Sequence, residues 1–454
     1  MSVKEGSLGA PTRHPIDWNN PNFVDEKLLD DELRRVFDIC HGCRRCFNLC
    51  ESFPKLFDYI DESKTGELDS VSSDKFKDVV DACTLCDMCF LTKCPYVPPH
   101  EFNIDFPHLM LRYRVAERKK KQHNKIDDQL TKTDRNGKFF SKFSNLANWS
   151  TNIKNKVTRP LMELMLKIDK EAELPKFYKK TLMNLIDTDK TTDELLKVSD
   201  KVVIFPTCFV NYNNPNLGLL TKKILDKLEI HNEFFYDGCC GMPQLEGGDI
   251  NSVAEKAKNI SLKLKNYTDK GFKILSIVPS CSLMLKFEWP LLLPSDENVK
   301  QLSKNTMDIC EFLVEKLSDN NNLKELLSPI SEENTVTLHI SCHSRAQNIG
   351  QKATELLKLV PELKVDVIER CSGHGGSWGI KKENFKMAIK VGKPVARKAV
   401  QFENKFVISE CPLAGSHIKQ GMDKLESSNT SNVLSHPLEI FAKSININQE
   451  GEVK

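Results

Sequence analysis

Val202-Val-Ile-Phe-Pro-Thr-Cys208 and Val336-Thr-Leu-His-Ile-Ser-Cys342 decide the fold. Each is a short, β-branched apolar run closed by a cysteine, the pattern of a strand buried on both faces. They stand 134 residues apart, and two further landmarks keep nearly that period. Cys239-Cys-Gly-Met242 is matched by Cys371-Ser-Gly-His374 at an offset of 132, and Ile277-Val-Pro-Ser-Cys281 by Val407-Ile-Ser-Glu-Cys411 at 130. Three landmarks in one order at one period predict two copies of one unit, over residues 201–330 and 331–445. Strands are expected at Val202–Pro206, Ile274–Pro279, Thr335–Ile340, Val365–Ile368 and Phe406–Ser409, with helices such as Leu219–Leu228 and Val253–Leu264 between them. That alternation predicts parallel, doubly wound, Rossmann-like α/β sheets. Cysteines placed just after parallel strands converge on the crevice at the strand ends.

Outward from this half, residues 106–200 hold no cysteine and read as a helical connector, with Phe106–Lys121 and Leu161–Ile168 at helical spacing and a disordered-looking stretch near Asp127–Lys142. Residues 26–105 read as a mainly helical, ferredoxin-like domain. Its first helix, over residues 26–38, places Leu28, Leu29, Leu33 and Val36 or Phe37 at helical spacing and leads into the first cysteine cluster. Residues 1–25 read as a flexible tail. The chain has 454 residues and 65 Lys plus Arg against 63 Asp plus Glu, so no global field points to nucleic acid. It offers no run of 18 apolar residues and no secretory pattern at its start, which predicts a cytoplasmic protein, peripheral on the inner face of a membrane if it meets one. In a reducing compartment, sixteen clustered cysteines read as metal ligands or redox groups.

Eight of those cysteines form two motifs. Cys40-His-Gly-Cys43-Arg-Arg-Cys46-Phe-Asn-Leu-Cys50 has the spacing C-x2-C-x2-C-x3-C. Cys83-Thr-Leu-Cys86-Asp-Met-Cys89-Phe-Leu-Thr-Lys-Cys94-Pro95 has C-x2-C-x2-C-x4-C-P, one residue longer before its last cysteine. Each triplet suits three irons of a cubane, and the fourth sulfur comes from the other motif. Cys40, Cys43, Cys46 and Cys94 are therefore expected to hold one four-iron four-sulfur (4Fe-4S) cluster, and Cys83, Cys86, Cys89 and Cys50 a second. Zinc knuckles use pairs of cysteines and fit this spacing poorly. Arg44 and Arg45, inside the first loop, read either as tuners of the cluster or as solvated surface charges. The basic run Arg112, Arg114, Arg118 and Lys119–Lys121 reads as a membrane- or partner-facing patch or as a solvated helix face.

Phe205-Pro-Thr-Cys-Phe-Val-Asn-Tyr-Asn-Asn-Pro215, the Cys239-Cys-Gly-Met run, Pro279-Ser-Cys-Ser-Leu-Met-Leu-Lys286 and their counterparts in the second copy resemble the cysteine-rich CCG domain. That domain occurs in heterodisulfide reductases, in the iron–sulfur components of glycolate and lactate oxidation, and in the C subunit of anaerobic glycerol-3-phosphate dehydrogenase, which the chain resembles most. The resemblance implies an iron–sulfur subunit that relays single electrons through two clusters. The donor would be a partner dehydrogenase, flavin-containing and of glycerol-3-phosphate or 2-hydroxy acid type; the acceptor would be a quinone or another redox partner. The chain departs from the full motif. Met284 and Ala414 replace the last cysteine of each copy, and Ser372 replaces the second of the pair. Cys208, Cys239, Cys240 and Cys281 remain in the first copy, and Cys342, Cys371 and Cys411 in the second. They are expected to hold a further cluster or zinc, with His343 or His374 completing the second set, or to act as a redox site built on Cys240 or Cys371. This leaves two other readings of the whole chain: a heterodisulfide-reductase-like enzyme acting on a thiol, disulfide or peroxide-linked partner, and a structural zinc protein. Gly373, Gly375 and Gly376 read as a tight turn beside that site. Cys310 and His339 read as packed core residues.

Overall fold

The computed structural model describes residues 11–121, 123–186, 200–330, 334–425 and 431–447. Residues 1–10 of the expected tail, 187–199 of the connector, and 331–333 and 426–430 of the second repeat lie outside the described residues. The chain groups into two compact units. One comprises Met1–Thr131, Gly241–Glu255 and Glu288–Ser295; the other comprises Lys132–Cys240, Lys256–Phe287 and Asp296–Lys454. The expected boundaries at 105 and 200 differ from this grouping. Two segments of the first repeat associate with the N-terminal residues, and residues from Lys132 onward associate with the α/β repeats.

The first unit is helical among its described residues. The helices Glu26–Cys43, Ser52–Asp61, Phe76–Asp81 and Phe106–Lys119 close around Leu33, Phe37, Phe53, Phe57, Phe76 and Phe106. The rings of Phe37 and Phe76 meet edge-on at 5.1 Å, and those of Phe53 and Phe106 lie 4.7 Å apart. Asp25 caps the first helix by accepting from the Leu28 amide. That helix runs past the expected Asp38 to Cys43 and ends where Arg44 turns left-handed at φ 52°.

The tail expected over 1–25 is anchored from residue 11 onward. The Thr12 amide donates to the Pro98 carbonyl and the Ile16 amide to the Leu291 carbonyl, while Trp18 Nε1 donates to the Leu292 carbonyl at 2.8 Å. The polar sequence concealed this, because the anchors are backbone bonds and buried charges rather than a hydrophobic run. The three arginines of the basic run are consumed internally, while Lys119–Lys121 stand exposed. Arg112 donates to the Phe23 and Asn22 carbonyls, Arg114 to those of Val80, Cys83 and Glu246, and Arg118 to Asp128 and Asp249.

The second unit holds two four-stranded, wholly parallel sheets. Strands β1 (Lys201–Phe205), β2 (His231–Phe234), β3 (Lys273–Ser276) and β4 (Thr306–Asp308) run in the order β2-β1-β3-β4. Strands β5 (Thr335–His339), β6 (Lys364–Ile368), β7 (Phe406–Ser409) and β8 (Asn432–Val433) run in the order β6-β5-β7-β8. The orders are identical, so the sequence repeat is a structural duplication. One core joins the sheets through Val202, Ile204 and Leu275 of the first and Val336, Leu338 and Ile408 of the second. The opposite face of the second sheet is covered by Val395, Ala396, Ala399 and Ile418 of the helices Phe385–Gln401 and Pro412–Leu425. Alternate β7 residues face the two cores, Phe406 and Ile408 one and Val407 the other, which is the doubly wound arrangement.

The stretch 127–142, expected to be disordered, forms the helices Lys125–Leu130 and Thr133–Lys142. The second of these is held by close approach: a Cβ on Gly137 would lie 2.3 Å from the Tyr212 ring.

Candidate redox and metal centres

All sixteen cysteines are free. In the helical unit, Cys40, Cys43, Cys46 and Cys94 line one cavity together with Arg45, Phe53, Phe57, Tyr96 and Ile104. Cys40 and Cys43 come from the last turn of the helix Glu26–Cys43, Cys46 from the turn after it, and Cys94 from the second motif. The extra residue before Cys94 is absorbed as a π-turn over Cys89–Lys93, in which the Cys94 amide donates to the Cys89 carbonyl at 2.8 Å. Arg45 is thus at the cavity, whereas Arg44 is paired with Asp61 over the Phe57 ring.

The thiols resist ionisation because they are buried and, after that, because they sit together. Burial, then Cys94, Cys46 and Cys43, push Cys40 up, and burial with Cys94 and Cys43 pushes Cys46 up to about 12. Burial raises Cys89 too, followed by Cys86, Cys83, Cys50 and then Cys46. Cys50 is therefore the neighbour of the second triplet, and the two sets are adjacent. Crowded thiolates repel, and a bound positive centre relieves that repulsion. The donor sets accordingly fit two iron–sulfur clusters. The loop Cys83–Cys89 is pinned in a backbone shape that places Leu85 at φ 47° and Asp87 at φ 62°. Arg114 donates to the Cys83 carbonyl, and Asp87 takes a two-pronged pairing from Arg13 at 2.7 and 2.9 Å.

In the α/β unit, Cys208, Cys239–Cys240 and Cys281 follow β1, β2 and β3; Cys342, Cys371 and Cys411 follow β5, β6 and β7. All seven therefore lie toward the carboxyl ends of their sheets, where the strand order reverses. Cys208 Sγ donates to Cys239 Sγ at 3.6 Å, and Cys281 Sγ to Cys240 Sγ at 3.0 Å. Donors Cys208 and Cys240, aided by Lys256, hold Cys239 well below the ordinary thiol range against the opposing effect of burial. Four soft donors with one already favoured as thiolate suit an iron–sulfur cluster, whose ligands are spread over a larger body than a single ion's.

The second set is thinner. Burial raises Cys371, whose Sγ accepts from the Gly373 amide at 3.4 Å. Burial also raises Cys411, which feels Cys281 of the first repeat. His343 Nδ1 lies 2.8 Å from Ser280 Oγ, so the two thiol sites face each other. His374 is driven down to about 3 by burial and then by His417 and His343. Among the described residues, no group of three or more His, Cys, Asp or Glu closes on a single point as one metal ion requires. A cubane instead spreads its ligands over a larger body.

Sequence reasoning missed three contributors. Asp134 accepts from the Cys239 amide at 2.7 Å and from Lys256 Nζ at 3.1 Å, and it also pairs with the Tyr236 hydroxyl. Neither Asp134 nor Lys256 carries a signal in the chain, because their partners are remote in sequence. Glu410 was legible as a charge closing the apolar strand β7. It is buried, accepts from the Ser341 amide and Ser344 Oγ at 2.9 Å each, and is raised to about 8 by burial and then by Asp308. His339 is packed as expected, between Ser409 Oγ and the Arg370 carbonyl at 2.9 Å each, and Cys310 is buried beside Asp308.

The Gly373 turn is a steric requirement. At φ 80°, an added Cβ would meet the Ala388 carbonyl oxygen at 2.0 Å. Gly373→Ala is expected to lower stability by about 2–4 kcal/mol, combining positive-φ strain with overpacking. A melting curve checks it.

Duplicated parallel sheets with thiols at their switch points define a class, a cysteine-rich α/β module present twice. The known proteins give that class a name: the cysteine-rich (CCG) domain matches residues 202–286 and again 336–419, so the chain carries two copies of it. Over 319 residues it is 26% identical to the C subunit of the anaerobic glycerol-3-phosphate dehydrogenase of Escherichia coli (strain K12), a match that covers 70% of this chain and 76% of that protein. It is 26% identical over 245 residues to the D subunit of the dihydromethanophenazine:CoB–CoM heterodisulfide reductase of Methanosarcina barkeri, covering 51% of this chain and 57% of that one. The B subunit of the fumarate reductase (CoM/CoB) of Methanothermobacter marburgensis is also 26% identical, over 49% of this chain and 42% of its own length. These relatives are subunits of oxidoreductases, and the chain is an oxidoreductase component.

Proposed function

We propose that this chain is the electron-transfer subunit of a multi-subunit oxidoreductase. Cys40, Cys43, Cys46 and Cys94 ligate one 4Fe-4S cluster, and Cys50, Cys83, Cys86 and Cys89 a second, in a ferredoxin-like arrangement. When bound, such clusters supply one-electron transfer with little change of geometry. The residues around them do the rest: Arg13 and Arg114 hold the second loop in shape, and Phe53, Phe57 and Ile104 wall the first cavity against water. The observation that supports this most is that thiols from both motifs share one cavity. The donor is a cytoplasmic flavin-containing dehydrogenase of glycerol-3-phosphate or 2-hydroxy acid type, and the acceptor is a membrane quinone. The dehydrogenase is supported by the name of the Escherichia coli relative, the need for a partner by the lack of any flavin or nicotinamide fingerprint in the sequence, and the quinone by the resemblance alone.

Anaerobic purification followed by iron and sulfide counts and electron paramagnetic resonance tests it. The expected result is brown protein with about eight irons from the N-terminal thiols. Colourless protein carrying only zinc would overturn it. Replacing all eight N-terminal cysteines by Ala in the full chain isolates the α/β thiols. Iron retained by that variant is expected, held as a cluster at Cys208, Cys239, Cys240 and Cys281. Deleting residues 1–105 is the poorer test, since it would strip residues 241–255 and 288–295 of their packing.

The 3.0 Å approach of Cys240 and Cys281 favours a second reading, in which these thiols perform disulfide chemistry on a partner. Full turnover by Cys240→Ser in the native complex would sink it.

A further inference from the structure

Eleven of the fifteen large hydrophobic residues that stand exposed among the described residues fall between Phe139 and Leu166. They ride on three consecutive helices, Thr133–Lys142, Ser144–Thr151 and Thr158–Leu166, and the turns that join them. Their amphipathicity is inverted. The buried positions of the first two helices are Gly137, Ser141, Ser144 and Ala147, and the third buries only Arg159, whose guanidinium donates to the Asp169 and Ala172 carbonyls. The outward side carries the bulk: Leu146 is 62% exposed, Trp149 56%, Val157 75% and Leu164 69%. Phe139 and Phe143 meet on the outside with ring centroids 5.4 Å apart. A surface helix in water does the reverse, and an apolar patch of this extent marks an interaction site.

The charges around it identify what it meets. Within residues 133–167 the exposed ionic residues are Arg135, Lys138, Lys142, Lys154, Lys156 and Lys167, and the acidic residues are Asp134, paired with Lys256, and Glu163, half-buried and paired with Lys382. Lysine is depleted at protein–protein interfaces. Lysines beside Trp, Phe and Leu on short helices are instead the composition of a surface that lies in a bilayer headgroup region and is drawn by anionic lipid. No helix among the described residues is long and apolar enough to cross a membrane.

We propose that residues 133–166 form a monotopic docking surface for an anionic lipid bilayer. This deepens the membrane part of the function proposed above and rests on it. Asp134, which binds the Cys239 amide, starts the first of these helices, and Lys142 ends it, about 12 Å away at helical rise. Docking therefore brings the first repeat's thiol site close to lipid, where an apolar acceptor such as a quinone dissolves.

The full-length protein is mixed with phosphatidylcholine vesicles with and without phosphatidylglycerol, and bound protein is measured by co-sedimentation across a salt series. Binding to the anionic vesicles, weakening with salt, is the expected result. Leu146→Ser with Leu164→Ser should reduce the partition coefficient about tenfold or more, and Lys142→Glu with Lys154→Glu about tenfold with a shallower salt dependence. Trp149→Phe should remove the blue shift of fluorescence on vesicle addition. These side chains are exposed, so unchanged melting and iron content report an intact fold in each variant. No binding of the wild type, binding indifferent to Leu146→Ser and Leu164→Ser, or a solution dimer that those changes dissociate would overturn the proposal. Vesicle binding is read without electron transfer, so either reading can fail while the other stands.

Discussion

Cys94→Ala is expected to cost the protein the same four irons as Cys40→Ala, although Cys94 ends the second motif and Cys40 begins the first. Both thiols line one cavity, and after burial itself Cys94 is the neighbour that raises Cys40 most. Cys50→Ala should remove the other cluster, together with Cys83, Cys86 or Cys89, because Cys50 acts on Cys89 from the opposite motif. Each single change is expected to remove about four irons and to erase one resonance signal. The double change Cys40→Ala with Cys94→Ala should lose no more than either alone, the non-additivity of ligands to one centre. If each motif held its own cluster, Cys94→Ala would behave like Cys83→Ala instead. Relay activity should fall to background in every case, since a broken chain of centres passes no current.

That Cys94 would lie with Cys40, Cys43 and Cys46 was legible because ligand spacing is a local property governed by the size of a cluster. What the longer gap before Cys94 became was not. Such a gap between two cysteines is compatible with several turns, and only the packed structure selects the π-turn Cys89–Lys93. The strands divide in the same way. β1, β3, β5 and β7 are buried in the middle of their sheets and announced themselves as apolar runs. The edge strands β2, β4 and β8 did not. β2 is His-Asn-Glu-Phe with only Phe234 buried, β4 has three residues, and β8 has two. An edge strand packs on fewer neighbours, so its hydrophobic pattern is weak. The candidate sites follow suit: every cysteine was visible, while Asp134, Lys256 and Arg13 act through partners far away in sequence and leave no periodic trace.

Arg13→Ala should destabilise the helical unit by about 3–5 kcal/mol, the range for removing one member of a buried ion network. Arg13 pairs two-pronged with Asp87 and with Asp105, approaches Glu288 at 3.3 Å, and stacks 4.5 Å over the Phe90 ring. His108 bridges Asp105 and Glu288 at 3.2 Å each. Three carboxylates are thus balanced by two cations, and removing Arg13 leaves them buried against one. The shifts show how far each group depends on the others. Burial opposes ionisation of Asp105 and Glu288, yet His108 and Arg13 hold both below the usual carboxylate range. Burial and Arg13 oppose the His108 cation, yet Asp105 and Glu288 raise it to about 9. The pH dependence follows from those directions. The histidine's contribution is complete below its ordinary value of about 6.5 and is lost as pH rises through about 9. The carboxylates' contribution is complete above their ordinary value of about 4 and is lost as pH falls. Stability of the wild type should therefore decline from about pH 7 to about pH 10 more steeply than that of His108→Gln, as read by denaturant melts at each pH. Because Asp87 sits between Cys86 and Cys89, Arg13→Ala should also loosen the second cluster, which would then lose iron to a chelator before the first. Equal iron loss from both clusters, with unchanged melting, would mean that the network holds neither the unit nor the loop.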